Sequence, residues 1–347
     1  MKRKISIHDI AAALKVSAAT VSYVLNGKTV EKRISAAMEQ RILQYVAESG
    51  YRPNQLAKSL RTGKSKIIGM LVEDISDPFF SAISRIIETH AYRHDYKIFH
   101  ASTENDPQIT RSLLQVFRDT QVDGYIIAPP PGIEKDIAGL IEDRLPLVLF
   151  DRFFPELNTC NVVVDNFDGA GKAIRHLIAN GYTGIGFVTL DSEQTQMNER
   201  LQGYRQAVEE GGLATAVLKV PYEMEREKMV AAIDDFLEAR PQLNALLFAT
   251  NYLAISGLEA MHKRGLKIPE DIAVVGFDDN THFSLFSPSI SAVAQPVEEM
   301  SGTVIAALMK VLSGKEGVLS GETIVLPTRL IVRQSSGRLN NIATHPL

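Results

Sequence analysis

The residues best suited to chemistry in this 347-residue chain stand directly behind short apolar runs. They are Asp74 to Phe80 (DISDPFF), Ser102, Pro129 to Pro131, Asp151 and Arg152, Asp165 and Asn166, Thr250 and Asn251, and Asp278 and Asp279. Carboxylates accept hydrogen bonds from paired hydroxyls, and a forked guanidinium donates to ring oxygens or to phosphate. Aromatic faces such as Phe79 and Phe80 pack on the apolar side of a sugar ring. The set reads as a carbohydrate-binding site. It does not read as an active centre. Adjacent carboxylates at a strand end point in different directions, so Asp278-Asp279 is no glycosidase pair. His90 and His94, four apart on a helix, lack a third metal ligand. Gly181, Gly184 and Gly186 precede a strand, whereas a dinucleotide loop lies between strand and helix. No catalytic residue, metal or cofactor is expected.

The elements that must position these residues follow from the apolar runs themselves. Strands are expected at 67–72, 97–101, 124–128, 147–150, 162–165, 184–189, 217–220, 245–249 and 272–277. Helical stretches at 79–94, 108–119, 167–180, 197–211, 226–239 and 251–264 separate them. Continuous apolar strands alternating with helices imply parallel sheets covered on both faces, a doubly wound α/β body. About 280 residues suffice for two sizeable cores. Ligands of such sheets bind outside the carboxyl ends of the strands, which is where the polar set lies.

The first 66 residues differ in kind. They hold 13 Lys+Arg against 4 Asp+Glu, while the rest of the chain holds 24 against 37, so a basic head sits on an acidic body. Phosphate contacts that release counterions reward such a head. Ser6 caps a helix to Leu14 with Ile7, Ile10, Ala11 and Leu14 on one face. Lys15 and Val16 make a turn, and Ser17 caps a second helix whose Val21, Val24 and Leu25 face inward while Ala18, Ala19, Ser22 and Tyr23 face out. Two capped helices with a tight turn form a helix-turn-helix, whose second helix enters the DNA major groove. In YRPNQLAKSLRTGKSK, Pro53 suits a first helical position, Asn54 can reach the backbone, and Ala57 and Leu60 share a face of a two-turn helix.

The runs DIAAALKVSAATVSYVLNGK and GYRPNQLAKSLRTG resemble the amino-terminal domain and hinge helix of the lactose/galactose repressor family, with SYVLNGK most similar to its fructose repressor branch. The resemblance places Ala18, Ala19 and Tyr23 at base edges and Ser6, Ser17, Ser22 and Asn26 near phosphates. It also has Leu60, with Ala57 beside it, wedging into the minor groove. Family members usually carry glycine where Lys15 stands, so the turn is expected to be strained or reshaped. In the body the family pattern points to effector contacts at Asp151, Arg152, Arg200 and Asp278, with Phe79, Gln194, Gln196 and Asn251 nearby. Thr250-Asn251 replaces the family's usual Asn-Asp, which implies an effector other than lactose or galactose. Asp151-Arg152 and the fructose-like head together hint at a sugar phosphate.

The resulting expectation is an all-α head at 1–52, a hinge helix and linker at 53–65, and a two-lobed effector-binding and dimerisation body like periplasmic binding proteins at 66–339, with a tail at 340–347. The first lobe takes about 66–161 and 293–322, the second about 162–291 and 324–339. The chain crosses between lobes near 161–163, 290–294 and 322–325. Such a chain would be a transcriptional regulator, a repressor in the simplest reading, that binds double-stranded operator DNA as a homodimer under control of a sugar or sugar phosphate. The sign of that control is open. The single Cys160 and the absence of a signal peptide or long apolar run point to a cytoplasmic, non-membrane protein. The rival is a sugar-binding receptor or carbohydrate enzyme carrying an accessory basic domain.

Overall fold

The computed structural model describes residues 5–51, 63–313 and 321–337, and the chain divides into two compact units, Met1–Ser65 and Lys66–Leu347. In the first unit, α1 (Ile7–Leu14) begins with a full capping box. Ser6 Oγ accepts from the Asp9 N–H, and the Asp9 carboxylate accepts from the Ser6 N–H at 2.8 Å. α2 (Ala18–Leu25) is capped by Ser17, and α3 (Ala36–Ser49) by Ser35, with Gly50 closing it at φ +65. α3 has no counterpart in the sequence-based expectation, because its polar residues dilute the apolar period. It nevertheless supplies Ile42 to a core of Ile10, Leu14, Val21 and Val24. Leu25 lies at the edge of that core, half-buried.

Lys15 closes α1 in the left-handed region, at φ 55 and ψ 44. A side chain there costs on the order of 1 kcal/mol, and the residue is exposed. Lys15→Gly is therefore expected to stabilise the α1–α2 unit by about 0.5–1 kcal/mol, after the extra unfolded-state entropy of glycine is subtracted. Slower hydrogen exchange of the α1 and α2 amides in the full chain would show it; faster exchange would mean that the turn holds no strain to relieve.

The second unit carries two six-stranded sheets of parallel topology. The first part runs β1 (Ile67–Val72), α4 (Pro78–Tyr92), β2 (Lys97–Ser102), α5 (Pro107–Asp119), β3 (Gly124–Ile127), α6 (Glu134–Glu142), β4 (Leu147–Phe150) and β5 (Cys160–Val164). The second part runs α7 (Asn166–Ala179), β6 (Ile185–Leu190), α8 (Thr195–Glu210), β7 (Ala216–Val220), α9 (Arg226–Glu238), β8 (Ala245–Phe248), α10 (Asn251–Arg264), β9 (Ala273–Phe277) and β10 (Ser291–Ala294). α11 (Val297–Leu312), β11 (Thr323–Leu326) and β12 (Arg329–Ile331) complete the order. The sheets are β11-β5-β4-β3-β1-β2 and β12-β10-β9-β8-β6-β7, so β4 and β9 hold equivalent places. Among the described residues, only the β10–β12 pair is antiparallel. Each sheet is buried between helices, as its near-continuous apolar strands require.

The crossings fall later than the sequence implied. β5 pairs in register with β4 and β11, so 162–164 stay in the first lobe. β10 remains paired with β9 in the second, and α11 returns to pack on α4 of the first. The chain changes lobe at Asp165, at Gln295-Pro296 and at Pro327-Thr328. Two of these breaks hold a proline, which cannot donate to a ladder. β10, β11, β12, α6 and α11 were not anticipated as elements. Their strands are only three or four residues long and carry no long apolar run.

Candidate functional site

The switch point of each sheet, where strand order reverses, lies between β1 and β3 in one lobe and between β6 and β8 in the other. Crevices at the carboxyl ends of such strands are where this topology binds ligands. The two crevices face each other. Glu73 and Asp77 follow β1, with Phe79 and Phe80 on the first turn of α4, and Asp151 and Arg152 follow β4. Gln194 precedes α8, which carries Gln196, Met197 and Arg200; Thr250, Asn251 and Tyr252 follow β8, and Asp278 follows β9. Together with Leu190 these residues enclose a cavity of about 30 Å³, room for about one water. All eight residues expected at the effector site, Phe79, Asp151, Arg152, Gln194, Gln196, Arg200, Asn251 and Asp278, line it, and all are buried.

Asp151 and Asp278 sit at equivalent strand ends with the same unusual backbone, φ 66 and φ 67. Each N–H is tied to the neighbouring strand, Asp151 to Val162 O and Asp278 to Val293 O. Aspartate tolerates this region better than most residues, and strain of this kind collects at functional sites. The guanidiniums are held as firmly. Arg200 donates to Ala249 O at 2.6 Å and to Asn166 Oδ1 at 2.9 Å, faces Asp278 at 3.6 Å, and lies over the Phe277 ring, 3.6 Å from its centroid. Arg152 donates from Nη2 to Glu73 Oε2 at 2.7 Å, and its Nε is 3.6 Å from Asp151 Oδ2. Gln295 Nε2 donates to Asp278 Oδ1 at 2.6 Å.

Hydrogen bonds cross between the lobes. Asn251 Nδ2 donates to Asp77 Oδ2 at 3.1 Å, and Gln194 Nε2 donates to Asn105 Oδ1 at 2.9 Å. The cavity holds four carboxylates against two guanidiniums. Burial, reinforced by Asp278 across the cleft, pushes the Asp77 carboxyl up to about 6. Burial also raises Asp151 to about 6, against the attraction of Arg152 and Arg200, and raises Asp278 against the attraction of Arg200. Among the described residues, Arg152 Nε and Gln196 Oε1 at the cavity, and Gln295 Oε1 behind Asp278, are buried without a hydrogen-bond partner, as is Thr103 Oγ1 away from the cavity. A site of this kind offers donors and acceptors to a small polar molecule between two apolar patches, Phe79-Phe80 and Leu190-Met197.

Other strand-end residues serve the frame. Asn166 holds Arg200, and Asp165 caps α7. Ser102 Oγ accepts from the Ile75 N–H. Asp279 forms a two-pronged pair with Arg333, at 2.7 and 2.9 Å. Pro129 and Pro131 line a mouth of about 400 Å³ with Phe153 and Phe154, and a second mouth of about 540 Å³ opens beside Tyr222 and Tyr252. Glu73, Tyr252 and Gln295 were missed. Glu73 carries the same signal as the others, a polar residue directly behind an apolar strand; Gln295 stands behind β10, a strand too short to be anticipated, and Tyr252 carries no such signal.

In the head, Ala19, Ser22, Tyr23 and Asn26 form a stripe along α2 at helical spacing, while Ala18 partly packs on the core. Ser6 and Ser17 are engaged as caps, and Ser17 Oγ lies 2.8 Å from Thr20 Oγ1. Asn26 Nδ2 donates to Ser22 O at 2.6 Å, and Lys32 Nζ stands 5.5 Å from the Tyr23 ring centroid. Asn54, Ala57 and Leu60 lie outside the described residues. No helix among the described residues is long and apolar enough to cross a membrane.

Residues 6–54 match the family of bacterial regulatory proteins described as lacI, and residues 174–336 match a periplasmic binding protein-like domain. The HTH-type transcriptional regulator DegA of Bacillus subtilis (strain 168) is 30% identical over 345 residues, 97% of this chain and 99% of that protein. The ribose operon repressor of Halalkalibacterium halodurans is 31% identical over 332 residues, 95% of this chain and 97% of its own. A crystal structure of the lac repressor dimer bound to operator and the anti-inducer ONPF superposes with a TM-score of 0.84 at 21% identity, covering 96% of this chain and 100% of that one.

Proposed function

Because this chain belongs to the lacI family of bacterial regulatory proteins and is a DNA-binding transcriptional regulator rather than an enzyme, we propose that it represses transcription from a pseudo-palindromic operator as a homodimer, under control of a sugar bound in the interlobe cleft. The observation that carries the effector half is the convergence of Asp151, Arg200 and Asp278 with Phe79 and Asn251 on one buried cavity at both switch points. Hydroxyl groups satisfy such carboxylates and guanidiniums pairwise, and the aromatic patch takes the apolar face of the ring. The operator half rests on the stripe of Ala19, Ser22, Tyr23 and Asn26 and on the basic character of residues 1–66. No guanidinium or glutamine stands on that stripe, so base readout falls to Tyr23 and to thymine-methyl contacts from alanine. The proposed hinge residues Ala57 and Leu60 would add minor-groove readout.

The test is selection of preferred sequences from random duplex DNA by the full chain, alone and with each of a panel of sugars, repeated for Tyr23→Ala. A two-fold symmetric site is expected, with one base position per half-site relaxed in Tyr23→Ala and with affinity changed by one of the sugars. A site without symmetry would remove the homodimer, an unchanged Tyr23→Ala logo would remove Tyr23 from readout, and indifference to every sugar would remove the carbohydrate effector.

A further inference from the structure

We propose that Glu73 sets the charge of the effector: by occupying the Arg152 fork it fits the cleft to an uncharged polyol and shuts out phosphorylated and carboxylated sugars. This rests on reading the cleft as the effector site and names the ligand class for it. A phosphate is recognised by a guanidinium whose parallel N–H groups are free to point at it. Neither arginine of the cavity offers that. Arg152 gives Nη2 to Glu73 at 2.7 Å and turns Nε toward Asp151 at 3.6 Å, with both Arg152 and Glu73 largely out of solvent. Arg200 is spent on Ala249 O, Asn166 Oδ1 and Asp278, with its face against Phe277.

The surroundings add little positive charge to compensate: Arg226, in the mouth beside Tyr222, is paired with Glu259 at 2.8 Å and shares that mouth with Asp74 and Glu223. Inside the cavity Glu73, Asp77, Asp151 and Asp278 oppose only Arg152 and Arg200. The mouth beside Phe153 adds Glu134, Glu156, Glu193 and Glu199 and no further cation. Burial first raises the carboxyls of Asp77, Asp151 and Asp278, and repulsion from Asp278 on Asp77 and from Glu73 on Asp151 and Asp278 adds to it. A dianion entering here meets like charge in a low-dielectric site, which is costly. A neutral polyol instead donates hydroxyl protons to the surplus carboxylate oxygens and accepts from Arg152 Nε, the cation's one buried donor without a partner. The hint of a sugar phosphate taken from Asp151-Arg152 in the sequence overlooked Glu73, the residue that neutralises the arginine.

Inorganic phosphate, titrated into the full chain at constant ionic strength and followed by calorimetry, separates the possibilities. Glu73→Gln is expected to bind it at least about tenfold more tightly than wild type, and Glu73→Gln/Arg152→Met is expected to lose the gain, which separates the cleft from the basic head. Equal phosphate affinity in wild type and Glu73→Gln overturns the inference. Should Glu73→Gln fail to fold, Asp151→Asn removes the other carboxylate facing Arg152 and carries the same expected gain. A second arm uses wild type with D-ribose and ribose 5-phosphate, and D-glucose and glucose 6-phosphate. Preference for a parent sugar supports the inference, and preference for an ester overturns it while the carbohydrate reading stands. A phosphate gain in Glu73→Gln with no wild-type response to any sugar or ester overturns the carbohydrate reading and leaves the charge inference standing.

Discussion

Arg200→Met is expected to abolish the effector response and to lower the melting temperature of the Lys66–Leu347 unit by of the order of 10 °C. The guanidinium is 2% exposed and ties three elements together: α7 through Asn166, the end of β8 through Ala249 O, and the end of β9 through Asp278. Methionine keeps the length and the contact with Phe277 but leaves Asp278 without its opposing cation and Ala249 O without its donor. Breaking one side of a buried pair costs about 3–5 kcal/mol because the remaining charge has no counterpart, and a unit of this size loses about 2–4 °C for each kcal/mol. Arg200→Met/Asp278→Asn is expected to recover much of the stability and none of the response, since the stranded charge is gone but the tie that holds Asn166, Ala249 and Asp278 around the cavity is still missing. The measurements are calorimetric melting of the three variants and operator binding with and without the sugar that shifts the wild type. A full response in Arg200→Met would move the effector site out of the cleft. Equal melting of the single and double variants would mean that Asp278 is not stranded by the loss of Arg200.

The parts of this architecture that could be read from sequence are those where one local rule decides the outcome. Ser6 and Ser17 could be read as caps because a serine hydroxyl just before the first helical residue accepts from the free N–H groups of the first turn. Strands buried on both faces announce themselves as apolar runs, and once they are placed, the switch-point rule leads to Asp151, Asn251 and Asp278 without reference to any relative. Arg200, Gln194 and Gln196 lie on or before a helix, where no strand-end rule reaches, and came only from the family pattern. What stayed hidden depends on pairing across distance. β5 and β11 join only because their registers match over more than 150 residues of intervening chain, so the lobe crossings were placed a few residues early. The neutralisation of Arg152 by Glu73 likewise spans β1 and β4, strands brought to the same sheet end by β3. A single arginine in sequence looks free; its partner is a property of the fold.

Asp77→Asn is expected to stabilise the protein at pH 7.5 by on the order of 2–3 kcal/mol and to be neutral near pH 4. Asp77 caps α4 through Oδ1, which accepts from the Phe79 N–H at 2.8 Å, and its Oδ2 accepts from Asn251. Asparagine caps equally well, and the Asn251 amide can turn to present its oxygen to the new NH₂. The substitution therefore removes little except charge. Burial and the facing Asp278 hold the Asp77 carboxyl at about 6 against its ordinary 3.8. An acid raised in the folded state binds more protons folded than unfolded between those two values. Its contribution to stability is present below about pH 4, declines as pH rises through 4 to 6, and is lost above. Asparagine has no such penalty at any pH, so its advantage should grow across that window and then level off. Unfolding midpoints of wild type and variant at intervals from pH 4 to 7.5 measure the difference directly, and subtraction cancels the other titrating groups. An advantage that stays constant with pH, or a variant less stable at pH 7.5, would show that Asp77 ionises without cost. The same sign governs the cleft itself wherever opening returns Asp77 and Asp151 to water, so acid favours closure without a ligand. If the cleft takes the polyol proposed above, hydroxyls bonded to these carboxylates are expected to replace the proton at neutral pH, and closure is expected to follow the effector.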